Sequence, residues 1–284
     1  MLRTLSLAGL ALAFALAVAL AGSSCGGASS GVDPFPPGGT RVLFVGNSLT
    51  YVNDLPETLA GLAAGVGDTI RVASVALPNF ALIDHVNGGS GALAEIGRRD
   101  WDYVVLQQGP TRLGICADTL VLAAQRFDAP IRAAGAVPTL LMTWPTISDF
   151  ADMDLVRQSY QRAAAAVGGL FAPAGEAWRL ALAADPGVAL YGGDGFHPAP
   201  LGTYLTALVL YERITGRDAR DQPPTAIVNG QPVAVSEATV RLLQGAAHEA
   251  NVALPAYPAA QPAPGSGVMQ PRAPVVGGQP ALTC

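Results

Sequence analysis

Arg41-Val42-Leu43-Phe44-Val45-Gly46-Asn47-Ser48-Leu49-Thr50 is the stretch from which the fold is read. Arg41 to Val45 is a short apolar run of branched and aromatic residues closed by a glycine, the pattern of a strand buried on both faces. A polar Asn-Ser pair follows. Pro56 to Ala64 then reads as a helix, with Asn53 or Asp54 as its cap and the proline in its first turn. A fully buried strand running into a helix opens a unit whose next strand pairs in parallel.

The alternation continues outward. Strands are expected at Thr69–Ala76, Asp102–Gln107, Val137–Thr143 and, more weakly, Leu170–Ala172. Helices are expected at Ala92–Arg99, Asp118–Ala134, Asp152–Val167, through Trp178 to Ala184, and at Ala199–Thr215, with glycines after several of their ends. A further amphipathic helix lies near Ser236 to Ala250, in a region from 217 to 253 to which the sequence attaches no role. Strands apolar throughout imply helices on both faces, so the fold class is α/β, a three-layer α/β/α sandwich. In such sheets ligands bind beyond the carboxyl ends of the strands.

Composition sets the bounds. The 284 residues are 50% hydrophobic and 13% charged, which excludes a disordered chain. Net charge is −5, every basic residue is an arginine, and no basic run stands out, so nucleic acid is not an expected partner. Arg3, the apolar run Leu5 to Leu20 and the small residues Ala19-Leu20-Ala21 read as a signal peptide over residues 1–24, with a retained anchor as the other reading. Residues 25–39 read as a flexible linker, 40–253 as the folded domain and 254–284 as a Pro/Gly-rich tail. Cys25 follows the apolar run as the lipidated cysteine of a bacterial lipoprotein does, although Gly22 stands where such motifs usually carry leucine. Membrane attachment through Cys25 and free secretion both stay open, and either makes the chain an exported one. Cys25, Cys116 and Cys284 include no close pair, which argues against a cysteine-built metal site. With Cys25 lipidated, Cys116 and Cys284 remain to form a disulfide.

Chemistry-bearing residues gather just past the strand ends. Ser48 follows the first strand, at the rim of the sheet, where it suits a cap or turn as well as a nucleophile. The chain has three histidines. His248 falls on the late amphipathic helix and reads as a solvated surface residue. His85 follows Asp84 between a strand and a helix and reads as structural. His197 stands before the last helix of the alternation, three residues after Asp194. On a tight loop that spacing lets the carboxylate reach Nδ1, fix the tautomer and leave Nε2 free for a serine hydroxyl. Asp194 as a cap of its own turn is the alternative. Trp144, after the fourth strand, reads either as a pocket wall or as core packing with Pro145. Arg112 and Asp149 lie on the same side without a specific signal.

Together, Gly46-Asn47-Ser48-Leu49-Thr50 near the start and Asp194-Gly195-Phe196-His197-Pro198 before the last helix of the alternation resemble the SGNH hydrolase superfamily, or GDSL-type esterases, over about residues 41–215. The resemblance implies a flavodoxin-like sheet of five parallel strands. It implies a catalytic triad of Ser48, His197 and Asp194, and hydrolysis of carboxylic esters, commonly acetyl esters of carbohydrates or acyl esters of lipids. No cofactor and no metal is implied. Two positions depart from the family pattern. Pro78-Asn79 replaces the expected glycine, leaving the Asn79 N–H as a donor to the oxyanion beside that of Ser48. Gln107-Gln108 replaces the expected asparagine, and the Gln107 amide is the expected stand-in, as in carbohydrate-esterase-like branches. The expected function is an exported serine esterase acting on small-molecule or polysaccharide esters. The alternative is a cell-envelope ligand-binding protein that kept the fold and lost turnover.

Overall fold

The computed structural model describes residues 38–112 and 114–259; the expected signal peptide, Cys25 and Cys284 lie outside them. The elements in chain order begin with β1 (Thr40–Gly46), α1 (Ser48–Tyr51), α2 (Leu55–Gly65) and β2 (Ile70–Ala76). There follow α3 (Leu82–Asp84), a π-helical segment (His85–Gly89), α4 (Ala92–Ile96), β3 (Tyr103–Leu106), α5 (Ile115–Ala133) and β4 (Val137–Leu141). A 3-10 segment (Ile147–Asp152) leads into α6 (Met153–Val167), β5 (Leu170–Ala172), α7 (Ala174–Ala184) and α8 (Pro200–Thr215). After a short 3-10 turn (Ala219–Asp221) come β6 (Ile227–Val228), β7 (Gln231–Pro232) and α9 (Glu237–Ala253).

Five strands form one parallel sheet in the order β2-β1-β3-β4-β5. This is the flavodoxin-like order, and its switch point falls between β1 and β3, where a crevice opens at the carboxyl end of the sheet. β1 is central, pairing with β2 on one side and β3 on the other. Val42, Leu43, Phe44 and Val45 are fully buried, which accounts for the unbroken apolar run in the sequence. α2 packs on α8, and α7 and α8 on α9, while α5 packs on α6, giving the three-layer sandwich. Leu201 to Tyr211 of α8 are buried around the whole circumference, as in a helix enclosed by its neighbours.

Local chemistry explains the boundaries. Asp54 caps α2 by accepting the Glu57 N–H, and Pro200 opens α8 at a position where no intrahelical N–H is needed. The α5 helix begins a turn earlier than the sequence implies, at Ile115, and Cys116 in that turn is disulfide-bonded. The β6–β7 hairpin is not anticipated above. Its turn is Asn229-Gly230, both at positive φ (47° and 70°), a two-residue turn whose twist suits a hairpin. The tail also begins in an ordered way: the Ala256 carbonyl accepts the Phe171 N–H at 2.7 Å and so covers the open edge of β5. Among the described residues no helix is long and apolar enough to cross a membrane.

Candidate functional site

Ser48 is the first residue of α1, a single helical turn begun at the end of β1. Asn47 caps that turn with its side-chain oxygen, which accepts the Leu49 N–H at 3.1 Å. Nearly 150 residues on, the chain makes a hairpin between Tyr191 and Pro198, closed by a β-bridge and by Gly192 donating to the His197 carbonyl. The hairpin carries Asp194 and His197 to the rim beside Ser48. His197 Nε2 lies 2.8 Å from Ser48 Oγ, and His197 Nδ1 lies 2.5 Å from Asp194 Oδ2. The other carboxylate oxygen of Asp194 accepts the backbone N–H groups of Phe196 and His197, each at 3.0 Å. The His197 ring hydrogen bond, then these two amides, hold the Asp194 carboxyl at about 2, well below its ordinary value. An ionised Asp194 keeps the proton of neutral His197 on Nδ1, so Nε2 faces the serine hydroxyl as an acceptor. Such a chain can pass a proton from hydroxyl to imidazole, the step that activates a serine nucleophile.

Below the serine the structure corrects an expectation. Gln107, expected as an oxyanion donor, is 1% exposed and directed into the turn that carries Ser48. Its Oε1 accepts from the Asn47 N–H at 2.9 Å and from Thr50 Oγ1 at 2.8 Å, and its Nε2 donates to Asn47 Oδ1 at 2.9 Å. The adjacent Gly46 must lack a side chain, because a Cβ there would sit 2.4 Å from Gln107 Oε1. Gln108 is also buried, taking the Leu82 N–H and donating to Thr111. Both glutamines brace loops, since a buried amide keeps its partners.

No family model matches the chain, and no curated protein does. Among solved structures, a protein described as an SGNH hydrolase, from Slackia heliotrinireducens, is 30% identical, over 62% of this chain and 98% of that one, at a TM-score of 0.52. The chain belongs to the SGNH hydrolase superfamily. A DUF4886 family protein from Bacteroides uniformis shares the fold at 20% identity, covering 76% of this chain and 95% of that one, with a TM-score of 0.61.

In this SGNH hydrolase the second loop at the rim is a turn from Leu77 to Phe80, with Pro78 and Asn79 at its centre. Asn79 has φ +60°, the left-handed conformation that a type II turn requires after proline. The Phe80 carbonyl accepts Asn47 Nδ2 at 3.1 Å, which fixes the turn beside Ser48. Among the described residues no acceptor is found for the backbone N–H of Ser48 or of Asn79. His85 supports this corner from inside: fully buried, it donates from Nε2 to the Gly46 carbonyl at 2.9 Å and meets Ser90 Oγ at 2.6 Å through Nδ1. Burial pushes its pKa below the ordinary histidine value.

Trp144 is not a pocket wall. It is 1% exposed, stacks on Trp178 at 3.6 Å, and donates from Nε1 to the Phe196 carbonyl at 3.1 Å. It anchors the hairpin that carries His197. Arg112 is paired with Asp149 and Asp152, linking the loops that follow β3 and β4. An apolar cavity of about 380 Å³ lies on the other flank of the hairpin, with Ile147, Phe150, Leu182 and Tyr191 among its walls.

His248 also departs from its expected solvated role. It is partly buried, with Nδ1 3.0 Å from Glu212 and 3.3 Å from Asp218. These three residues are the one group among those described that could hold a metal ion. Their groups are already matched without one: Arg220 binds both oxygens of Asp218, and Glu212 Oε2 accepts the Ala219 N–H. The trio forms a polar knot joining α8 to α9. His248 could not be placed from its own helix, because both acidic partners come from a segment more than 29 residues earlier.

Proposed function

We propose that this SGNH hydrolase is a serine ester hydrolase, with Ser48 as nucleophile, His197 as general base and acid, and Asp194 as the carboxylate that orients it. The observation that carries the reading is the unbroken hydrogen-bonded chain from Ser48 Oγ through His197 to Asp194 Oδ2. In the first step His197 takes the hydroxyl proton as Ser48 Oγ bonds to the ester carbonyl carbon. The backbone N–H groups of Ser48 and Asn79 are the oxyanion donors. Imidazolium His197 gives its proton to the departing alcohol, and then draws one from the water that releases the acid. Asp194 stays ionised throughout.

The substrates fitting this reading are acetyl or short acyl esters, including those on carbohydrates: the rim is open, with Asp194 51% and His197 34% exposed, and admits a bulky alcohol. The apolar leader and Cys25 support an exported enzyme, secreted or lipid-anchored at the cell envelope. One observation favours a second reading, a ligand-binding protein of little turnover: Gln107, the expected side-chain oxyanion donor, faces inward onto Asn47 and Thr50. Losing one such donor reduces turnover by about a hundredfold to a thousandfold.

Hydrolysis of chromogenic acetate and butyrate esters separates the readings. The esterase turns them over, and Ser48→Ala and His197→Ala each lower kcat by about a thousandfold or more. Undiminished activity in both variants rules out the triad, and absence of turnover with ligand binding intact selects the second reading.

A further inference from the structure

We infer that Asn53 is a positioning residue of this active site, setting the separation between the serine and the histidine. The inference rests on the triad reading above.

The hairpin that carries His197 is rich in glycine, with Gly192, Gly193 and Gly195, and is half-buried at the rim, with Gly193 and Asp194 exposed. Three bonds hold it from the β4 side. They are Trp144 Nε1 to the Phe196 carbonyl, the Ile147 N–H to the Gly195 carbonyl at 2.9 Å, and Tyr191 Oη to the Pro145 carbonyl at 2.7 Å. These locate the hairpin relative to β4 and leave its distance from Ser48 unset. Ser48 belongs to a different unit, the one-turn helix α1 after β1.

Asn53 spans that gap. Its Nδ2 donates to the carbonyl of Pro198, the residue after His197, at 2.8 Å, and to Thr203 Oγ1 in the first turn of α8 at 3.1 Å. Among the described residues, the only other hydrogen bond between residues 47–54 and residues 190–203 is the Ser48–His197 bond itself. Asn53 and Asp54 are consecutive non-glycine residues at positive φ, 58° and 54°, an uncommon pairing that turns the chain sharply after α1 and aims the amide across the crevice. Backbone held in so sparse a region points to a role beyond packing. Both hydrogens of the amide are used, so its plane is fixed as well as its reach. Proton transfer between Ser48 and His197 depends steeply on their separation, and a displacement of about 1 Å can lower a rate about a hundredfold.

The test uses the folded full chain with Asn53→Gly, which keeps the left-handed backbone available and removes the amide, and Asn53→Asp, which keeps the shape and removes the donor. Turnover of a chromogenic ester and the rate of labelling of Ser48 by a fluorophosphonate are both measured, per site titrated by exhaustive labelling. Both variants are expected to lose about tenfold to a hundredfold in kcat and in labelling rate, with KM within about twofold. Thr203→Val, which leaves the bond to Pro198 but frees the plane of the amide, is expected to lose less than either Asn53 variant. Wild-type kcat and labelling in both Asn53 variants would overturn the inference even if their melting temperatures fall. Ser48→Ala and His197→Ala tell the two proposals apart. If they are inactive while the Asn53 variants are unimpaired, only the role of Asn53 fails, and if they retain full activity the triad fails with it.

Discussion

Asn47 and Gln107 grip each other by a paired set of bonds: the glutamine oxygen takes the Asn47 backbone N–H and the glutamine nitrogen donates to the Asn47 side-chain oxygen, both at 2.9 Å. The pair joins the end of β1 to the end of β3 at the switch point of the sheet, directly under Ser48. Asn47 passes the linkage on to the Leu77–Phe80 turn through its bond to Phe80. Position, at this corner, comes from buried amides, and the chemistry is left to the groups above them.

Replacing Gln107 should therefore act first on stability. Gln107→Leu leaves the Asn47 N–H and the Thr50 hydroxyl without their partner in a buried site, and costs about 2–5 kcal/mol. Gly46→Ala forces the same clamp apart by steric contact. Chemical denaturation should show both losses, with the fall in kcat following from a displaced Ser48. A hundredfold lower kcat in Gln107→Leu at unchanged stability would return that side chain to the oxyanion site.

Asp194 makes a prediction about pH. Its folded-state pKa of about 2 lies below the ordinary 3.8, so the fold favours the charged form. The resulting contribution is complete above 3.8 and is lost as pH falls through about 2. Carboxyl NMR of labelled aspartate should find a titration near 2 that rises toward 3.8 in His197→Ala, because the histidine hydrogen bond is the largest cause. Any acid limb in turnover above about pH 4 then belongs to another group.

Trp144→Phe keeps a ring against Trp178 and removes the bond to the Phe196 carbonyl. Losing that bond costs about 1 kcal/mol of stability and lowers kcat severalfold as the His197 hairpin loosens. A buried anchor leaves the KM profile across acetate, butyrate and hexanoate esters unchanged. A chain-length-dependent KM would put the indole in contact with substrate.

His85 is held neutral, with burial lowering its pKa from 6.5. For a histidine with a depressed folded value, the unfolded chain binds the proton first as pH drops. Stability is thus full above 6.5 and declines below it until the lower folded value is reached. His85→Gln, which can still donate to the Gly46 carbonyl, should flatten the fall in melting temperature between about pH 6.5 and pH 5. An unchanged slope would show that other groups govern the acid limb.

Much of this molecule is legible in local pattern. Runs such as Val42–Val45 and Val104–Leu106 mark strands because a sheet covered on both faces accepts only apolar residues. The Asn229-Gly230 turn is equally local, since that dipeptide by itself specifies a two-residue hairpin turn between β6 and β7. Asp194 and His197 could be singled out because histidine is scarce here and their spacing fits one tight loop.

What the sequence by itself determined was the order of strands and helices, and the residue types that stand where strands end, because those follow from periodicity and short-range sterics. Only the tertiary structure decided where the side chains point: Gln107 inward onto Asn47, Trp144 onto Trp178, His248 onto Glu212, Asn53 across to Pro198. Each of those partners lies between 34 and 145 residues away along the chain. A side chain's direction is set by the group that satisfies it through space, and that group is known only once the layers have packed.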